Sequence, residues 1–214
     1  MGGKDKAFVE LLGRPLLAHS LEALHLCPQV KTIVLVLGDH NLEQGREMIS
    51  KGRWPKVSQI CRGGPRRQDS VREGLERLPD CEWVIVHDGA RPCLGEELIQ
   101  RGLLAALETG AAVAAVPVKD TIKLSDGNDF VTSTPPRDKF WYVQTPQIFR
   151  RELLMEAHLK IQDTVTDDAS MLEMLGYRVK LFLGSYDNVK VTTPEDLLVA
   201  KALLLANRNK VTQT

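Results

Sequence analysis

Asp88 and Arg91 stand three residues apart in VHDGARP (residues 86–92), directly after an apolar run of strand type. The loop that follows a buried strand is where open α/β sheets bind ligands, and a carboxylate there can hold a metal or a sugar hydroxyl. Arg91 offers phosphate a forked contact or steadies Asp88. Turn chemistry also accounts for the segment, with Asp88 and Gly89 closing a strand end and Arg91 in a surface ion pair. A second segment, GGPRRQDSV (residues 63–71), has two glycines, Gly63 and Gly64, that let backbone approach a ligand closely. Ser70 and the first helical N–H groups after it can receive an anion or a nucleotide. Read alone, this stretch is better described as an ordinary loop in which Asp69 or Ser70 caps a helix, with Arg66 and Arg67 solvated. In NVKVTTPEDL (residues 188–197), Thr193 as cap, Pro194 in the first turn, and Glu195 and Asp196 near the positive helix end describe a helix start. That account leaves Lys190, on a short apolar run before the helix, free to point into a cleft or into solvent. TDDAS (residues 166–170) reads as another helix start, and QTPQ (residues 144–147) as a turn after a strand.

Short apolar runs must position these groups. Residues 32–37 (TIVLVL), 83–87 (WVIVH) and 111–118 (AAVAAVPV) lack polar alternation, so they predict strands buried on both faces and mainly parallel. Between them, residues 15–26, 70–78 and 96–108 repeat apolar positions with a helical period. The alternation predicts an α/β fold: a Rossmann-like, mostly parallel sheet with helices on both faces, in one domain spanning residues 1–214. From about residue 120 to 144 the rhythm breaks. Apolar residues flank SDGN (residues 125–128), where Asp-Gly favours a hairpin turn. This β-arm either packs on another subunit or forms an edge hairpin of the same chain. Helices are then predicted at residues 151–161 and from Pro194, with short elements around residues 169–175 and 179–182.

Composition excludes several classes of function. Lys plus Arg number 28, as do Asp plus Glu, so no global field holds nucleic acid or an anionic membrane, and a polyanion must be met by local basic residues. The four cysteines form no CxxC pair and read as reduced thiols rather than a metal site or disulfide frame. No apolar run approaches the roughly 20 residues that span a bilayer, and the amino-terminal MGGKDKAF has no signal-like stretch. The expected setting is the cytoplasm.

Taken in order, GGPRRQDSVREGL, VHDGARP, an arm with Arg137, WYVQTPQIF, TDDAS and NVKVTTPEDL resemble the successive motifs of the 2-C-methyl-D-erythritol 4-phosphate cytidylyltransferases. The resemblance runs from Lys6 nearly to the carboxyl terminus. It implies transfer of CMP from CTP to the phosphate of methylerythritol phosphate, with release of pyrophosphate and with Mg²⁺ bridging the nucleotide phosphates. It also implies roles. Lys6 and Lys190 would be the cations at the reacting centre, with Arg137 a third catalytic residue. Gly63, Gly64, Ser70 and Asp88 would surround the nucleotide. Asp88, Arg91, Thr121, Arg137, Thr145, Thr166 and Lys190 would meet the acceptor, and Asp88 would bind the metal. In the family the arm crosses to a neighbouring subunit, so Thr121 and Arg137 would serve the partner's site in a homodimer. A cytidylyltransferase for ribitol 5-phosphate, or a non-catalytic nucleotide-binding relative, would carry much the same motifs.

Family members begin with a strand and a glycine-rich loop of the type AAGxGxRM, which carries a catalytic arginine. Here Met1-Gly2-Gly3-Lys4 resembles only the tail of that loop. The resemblance thus implies a further strand in the middle of the sheet and a sequence that starts late. It also implies weak CTP binding and little turnover by the chain as given, relative to a form extended through the loop.

Overall fold

The computed structural model describes residues 6–52 and 54–211. After a single 3-10 turn at Lys6–Phe8, strands β1 (Glu10–Leu11) and β2 (Arg14–Pro15) form a small hairpin. Its two-residue turn, Leu12 and Gly13, takes positive φ at both positions. Then come α1 (Leu16–Leu26), β3 (Ile33–Leu37), α2 (Leu42–Lys51), β4 (Val57–Arg62), α3 (Arg67–Glu76), β5 (Trp83–Val86), α4 (Glu96–Thr109) and β6 (Ala111–Pro117). The arm carries β7 (Leu124–Ser125) and β8 (Val131–Ser133). The chain returns as β9 (Trp141–Arg150) and continues through α5 (Arg151–Lys160), α6 (Asp168–Met174), β10 (Lys180–Leu183) and α7 (Pro194–Val211).

The main sheet has the order β10-β6-β9-β5, with β6 parallel to β10 and β9 antiparallel to both β6 and β5. Three of its four strands therefore run one way, and a parallel β3–β4 pair stands beside it. The α/β class is as the apolar runs predict. The reversal of β9 has a topological cause: β6 leads out into the arm and β9 comes straight back alongside it.

Both faces of the sheet are covered, which explains the missing alternation in the sequence. On β6, Ala112 and Ala114 join a core with Leu17 and Leu21 of α1, Ile99 of α4 and Leu35 of β3. Their neighbours Ala111 and Val113 join a second core with Leu75 of α3, Leu154 of α5, and Met171 and Leu172 of α6. Neighbouring Ile148 and Phe149 of β9 divide in the same way. Period-2 side-chain direction thus feeds two cores at once. A third cluster of Leu11, Leu16, Val191 and Ala200 ties α7 to the start of the chain.

Among the described residues β3 pairs only with β4, and β5 only with β9. Between them lies a cavity of about 750 Å³, lined by both strands and by α1 and α3. The strand and glycine-rich loop implied by the resemblance would precede Lys6 and lie outside the described residues.

Three local expectations are corrected. Residues 144–147 are not a turn after a strand; they lie inside β9, where the register with β6 shifts between Val113 and Ala115. Proline lacks the ladder N–H, so Pro146 sits at this irregularity rather than ending the strand. Helix α3 begins at Arg67, and Asp69 does not cap it from outside. Its carboxylate accepts from the Arg66 backbone N–H at 3.1 Å, as the third-residue half of a capping box. Finally α2, with few apolar positions, escaped the periodicity reading.

Candidate active site

Asp88 follows β5 directly and is drawn between two cations, Lys190 Nζ at 3.1 Å and Arg91 Nε at 3.4 Å. Burial pushes its carboxyl up, but the charge and hydrogen bond of Lys190, with Arg91 and then Arg67 adding to them, outweigh burial and hold it below the usual carboxylate value. It is an anion at neutral pH. The Lys190 side chain remains 45% exposed and lines the cleft.

The carboxylate's loop is braced from behind. Arg91 is buried and donates through NH1 to the Asn188 carbonyl at 2.7 Å. Asn188 Nδ2 donates to the Thr145 carbonyl at 2.8 Å. The backbone N–H of Val191 donates to the Ala90 carbonyl at 2.8 Å, stitching the Lys190 segment to the Asp88 loop. His87 completes the frame. Burial drops its pKa to about 4, so the imidazole is neutral at pH 7. With Nε2 lying 3.3 Å from the Arg91 carbonyl, the proton belongs there. Nδ1 then accepts from the Thr145 hydroxyl at 3.1 Å, and that hydroxyl accepts from the Asp88 backbone N–H at 3.0 Å. One tautomer satisfies the whole chain.

A cleft of about 430 Å³ opens in front of these groups, lined by Asp88, Arg91, Thr145, Thr166, Lys190 and Arg67 among others. Asp88 also borders the larger cavity, with Ser70, Lys6 and Arg67. Ser70 is set by the glycine turn. Its hydroxyl lies 3.3 Å from the Gly64 carbonyl and 3.2 Å from that of Arg66. A Cβ on Gly63 would come within 2.6 Å of Ser70 Oγ, and one on Gly64 within 2.4 Å of Asp69 Cβ. The two glycines shape this turn and are not themselves in the cavity wall.

The structure therefore gathers Asp88, Arg91, Thr145, Thr166 and Lys190 at one cleft, and Lys6, Ser70 and Asp88 at the adjoining cavity. Thr121 and Arg137 are not in either wall; both are exposed on the arm, with Arg137 NH1 donating to the Lys119 carbonyl at 2.6 Å. Arg67, expected to be solvated, is instead held by Asp168 at 2.7 Å, and three framing residues were not singled out from the sequence: His87, Asn188 and Gln144, whose Nε2 donates to the Ser185 carbonyl at 2.8 Å. Only their place inside quoted motifs marked them.

Among the described residues no group of three or more His, Cys, Asp or Glu side chains forms a metal cage. Asp88 still offers one carboxylate on the wall of the cleft. That donor set fits Mg²⁺, which is commonly held by one or two carboxylates together with substrate phosphates.

A sheet whose strand-end loops set a carboxylate among cations, beside a glycine-shaped turn and two adjoining hollows, defines an α/β nucleotidyltransferase. The profile of the 2-C-methyl-D-erythritol 4-phosphate cytidylyltransferase family matches residues 1–206, and the chain belongs to that family. A relative of this name from Dehalococcoides mccartyi is 48% identical over 208 residues, covering 97% of this chain and 92% of the relative. Another, from Alkaliphilus oremlandii, is 44% identical, covering 96% and 90%. The crystal structure of 4-diphosphocytidyl-2C-methyl-D-erythritol synthase from Anaerococcus prevotii superposes with a TM-score of 0.83 at 32% identity, covering 93% of each chain. That of the cytidylyltransferase from Thermus thermophilus gives 0.77 at 35% identity, covering 94% of each.

Proposed function

We propose that this chain transfers CMP from CTP to the phosphate of 2-C-methyl-D-erythritol 4-phosphate. An oxygen of the acceptor phosphate bonds to the α-phosphorus of CTP, the bond from that phosphorus to the β-phosphate bridge breaks, and pyrophosphate leaves. The observation that carries this reading is the Lys190–Asp88–Arg91 cluster on the wall of the cleft, with Arg67 and Thr145 beside it. Two anions must meet, so catalysis here is positioning and charge neutralisation rather than covalent chemistry.

Lys6 and Lys190 neutralise phosphate charge from the two sides, while the turn at Gly63, Gly64 and Ser70 faces the nucleotide. Arg91, Thr145 and Thr166 orient the acceptor with Asp88. Asp88 would hold Mg²⁺ together with the nucleotide phosphates, and the ion would supply Lewis-acid neutralisation there. The arm is the dimer contact. From Lys119 to Val143 nearly every residue is exposed, including Phe130 at 72% and Val131 at 59%, more apolar surface than a free hairpin keeps in water. Thr121 and Arg137 would then complete the partner's site. The setting is cytoplasmic. No helix of the described residues is long and apolar enough to cross a membrane, and the four cysteines carry free thiols.

Pyrophosphate release from CTP, Mg²⁺ and methylerythritol phosphate tests the reaction, run on this chain and on a form extended ahead of Met1 by a strand and glycine-rich loop. Turnover that prefers methylerythritol phosphate over ribitol 5-phosphate is expected; a strong preference for ribitol 5-phosphate overturns the acceptor, and CTP binding without turnover in either form overturns the enzyme. Mixing two dead variants tests the arm. Co-expressed Lys190→Ala and Arg137→Ala chains should recover about a quarter of wild-type activity, since half the dimers are mixed and each holds one intact site. A mixture no more active than its parents rules out a shared site.

A further inference from the structure

Arg67 opens α3, at the head of the nucleotide turn, and its NH1 lies 2.7 Å from Asp168 Oδ2. Asp168 is fully buried at the start of α6. Neither of its carboxylate oxygens has a side-chain hydrogen bond of good geometry, and His158 Nε2 lies 3.8 Å from Oδ1. A carboxylate in such a place is costly to keep, and opposing charge at contact distance is what offsets that cost. The pair therefore has a use beyond stability. It pulls one side of the Arg67 guanidinium toward α6, while the side chain as a whole stays 32% exposed. The remaining guanidinium N–H groups have no other protein partner among the described residues, and Arg67 borders both the larger cavity and the acceptor cleft. Helix α6 is a wall of that cleft through Asp167 and Ser170. Asp167 caps the helix by accepting from the Ser170 backbone N–H at 3.1 Å, and is itself held by Gln147 Nε2 at 2.8 Å. The anchor is thus tied to the wall.

We propose that Arg67 binds an anionic oxygen of the acceptor phosphate, and that Asp168 is the residue positioning it. The anchored guanidinium presents a planar fork of donors whose direction is set before the ligand arrives, as bidentate recognition of phosphate requires. The inference rests on the acceptor being a sugar phosphate, as proposed above. It adds a cation supplied by the nucleotide side of the cleft, coupling the two halves of the site through a single side chain.

Titration calorimetry with methylerythritol phosphate and, separately, with CTP tests it. Removing both charges in the double variant Arg67→Gln, Asp168→Asn leaves no unpaired buried charge. It should weaken acceptor binding by about ten- to a hundred-fold while CTP affinity stays within about three-fold. Asp168→Asn alone, which frees the guanidinium, should weaken the acceptor by a smaller factor, and Arg67→Lys, which keeps the charge but not the fork, should fall between. If the double variant does not fold, Arg67→Lys decides, because the buried carboxylate stays paired. Unchanged acceptor affinity in a folded variant overturns the proposal, as does a loss that falls on CTP. Absence of acceptor binding in the unmodified chain, by contrast, would refute the functional reading on which it rests.

Discussion

Lys190→Ala lowers pyrophosphate release by about a hundred- to a thousand-fold, the usual cost of deleting one preorganised donor from developing negative charge, and leaves the melting temperature nearly unchanged. The asymmetry follows from where the lysine sits. Its ammonium touches Asp88 at 3.1 Å, yet its side chain is 45% exposed against 18% for Asp88, so solvent screens much of what the pair contributes to folding. Asp88 keeps Arg91 at 3.4 Å after the substitution, so no carboxylate is left alone. The loss should appear in kcat at saturating CTP as well as in kcat/KM, because the phosphate charge grows during attack. Steady-state kinetics on the form that turns over, beside a thermal melt, checks both halves. Activity within about five-fold of the unmodified protein would remove Lys190 from the chemistry.

Acidification from pH 7 to 4.5 should remove about 3 to 5 kcal/mol of folding stability, a large share of the ~5–15 kcal/mol of a typical domain. Burial lowers both His87 and His158 to about 4, with Arg72 and Arg67 also opposing charge on His158. An unfolded chain takes up those protons near 6.5. Between about 6.5 and 4 the unfolded state therefore binds more protons than the folded one. Stability is fully present above 6.5 and falls as the pH drops toward 4. Each histidine contributes about 3 kcal/mol at most across that window. Asp168 works the other way: burial raises its carboxyl despite the opposing charge of Arg67, so it favours the folded state as pH falls. Urea unfolding at several pH values measures the sum, and His158→Gln should flatten roughly half the slope. A folding free energy constant between pH 7 and 5 would mean that the histidines are not buried as described. The consequence for function is that a protonated His87 cannot accept from the Thr145 hydroxyl, and the brace behind Asp88 loosens with the fold.

Much of the fold was legible because two-sided burial leaves a strong mark. The runs at residues 83–87 and 111–118 are apolar at every turn of the chain because their neighbouring residues feed different cores. Helix starts were equally readable where capping is local: Thr193 and Asp196 exchange hydrogen bonds across the first turn of α7, with Asp196 Oδ2 accepting from the Thr193 backbone at 2.8 Å and the Asp196 backbone donating to Thr193 Oγ1 at 3.3 Å. Residues 144–147 misled because Pro146 signals a turn by local chemistry. Pairing of β9 on both sides overrides that signal.

The sequence by itself determined the α/β class, the hairpin at residues 125–128 and the order of motifs that places this chain in its family, since each depends on residue type at short range. Only the tertiary structure decided which charges share a cleft. Asp88 meets Lys190 across 102 residues, and Arg67 meets Asp168 across 101. No spacing rule reaches that far, and whether an arginine is solvated or gripped depends on a carboxylate that folding has buried out of the water's reach.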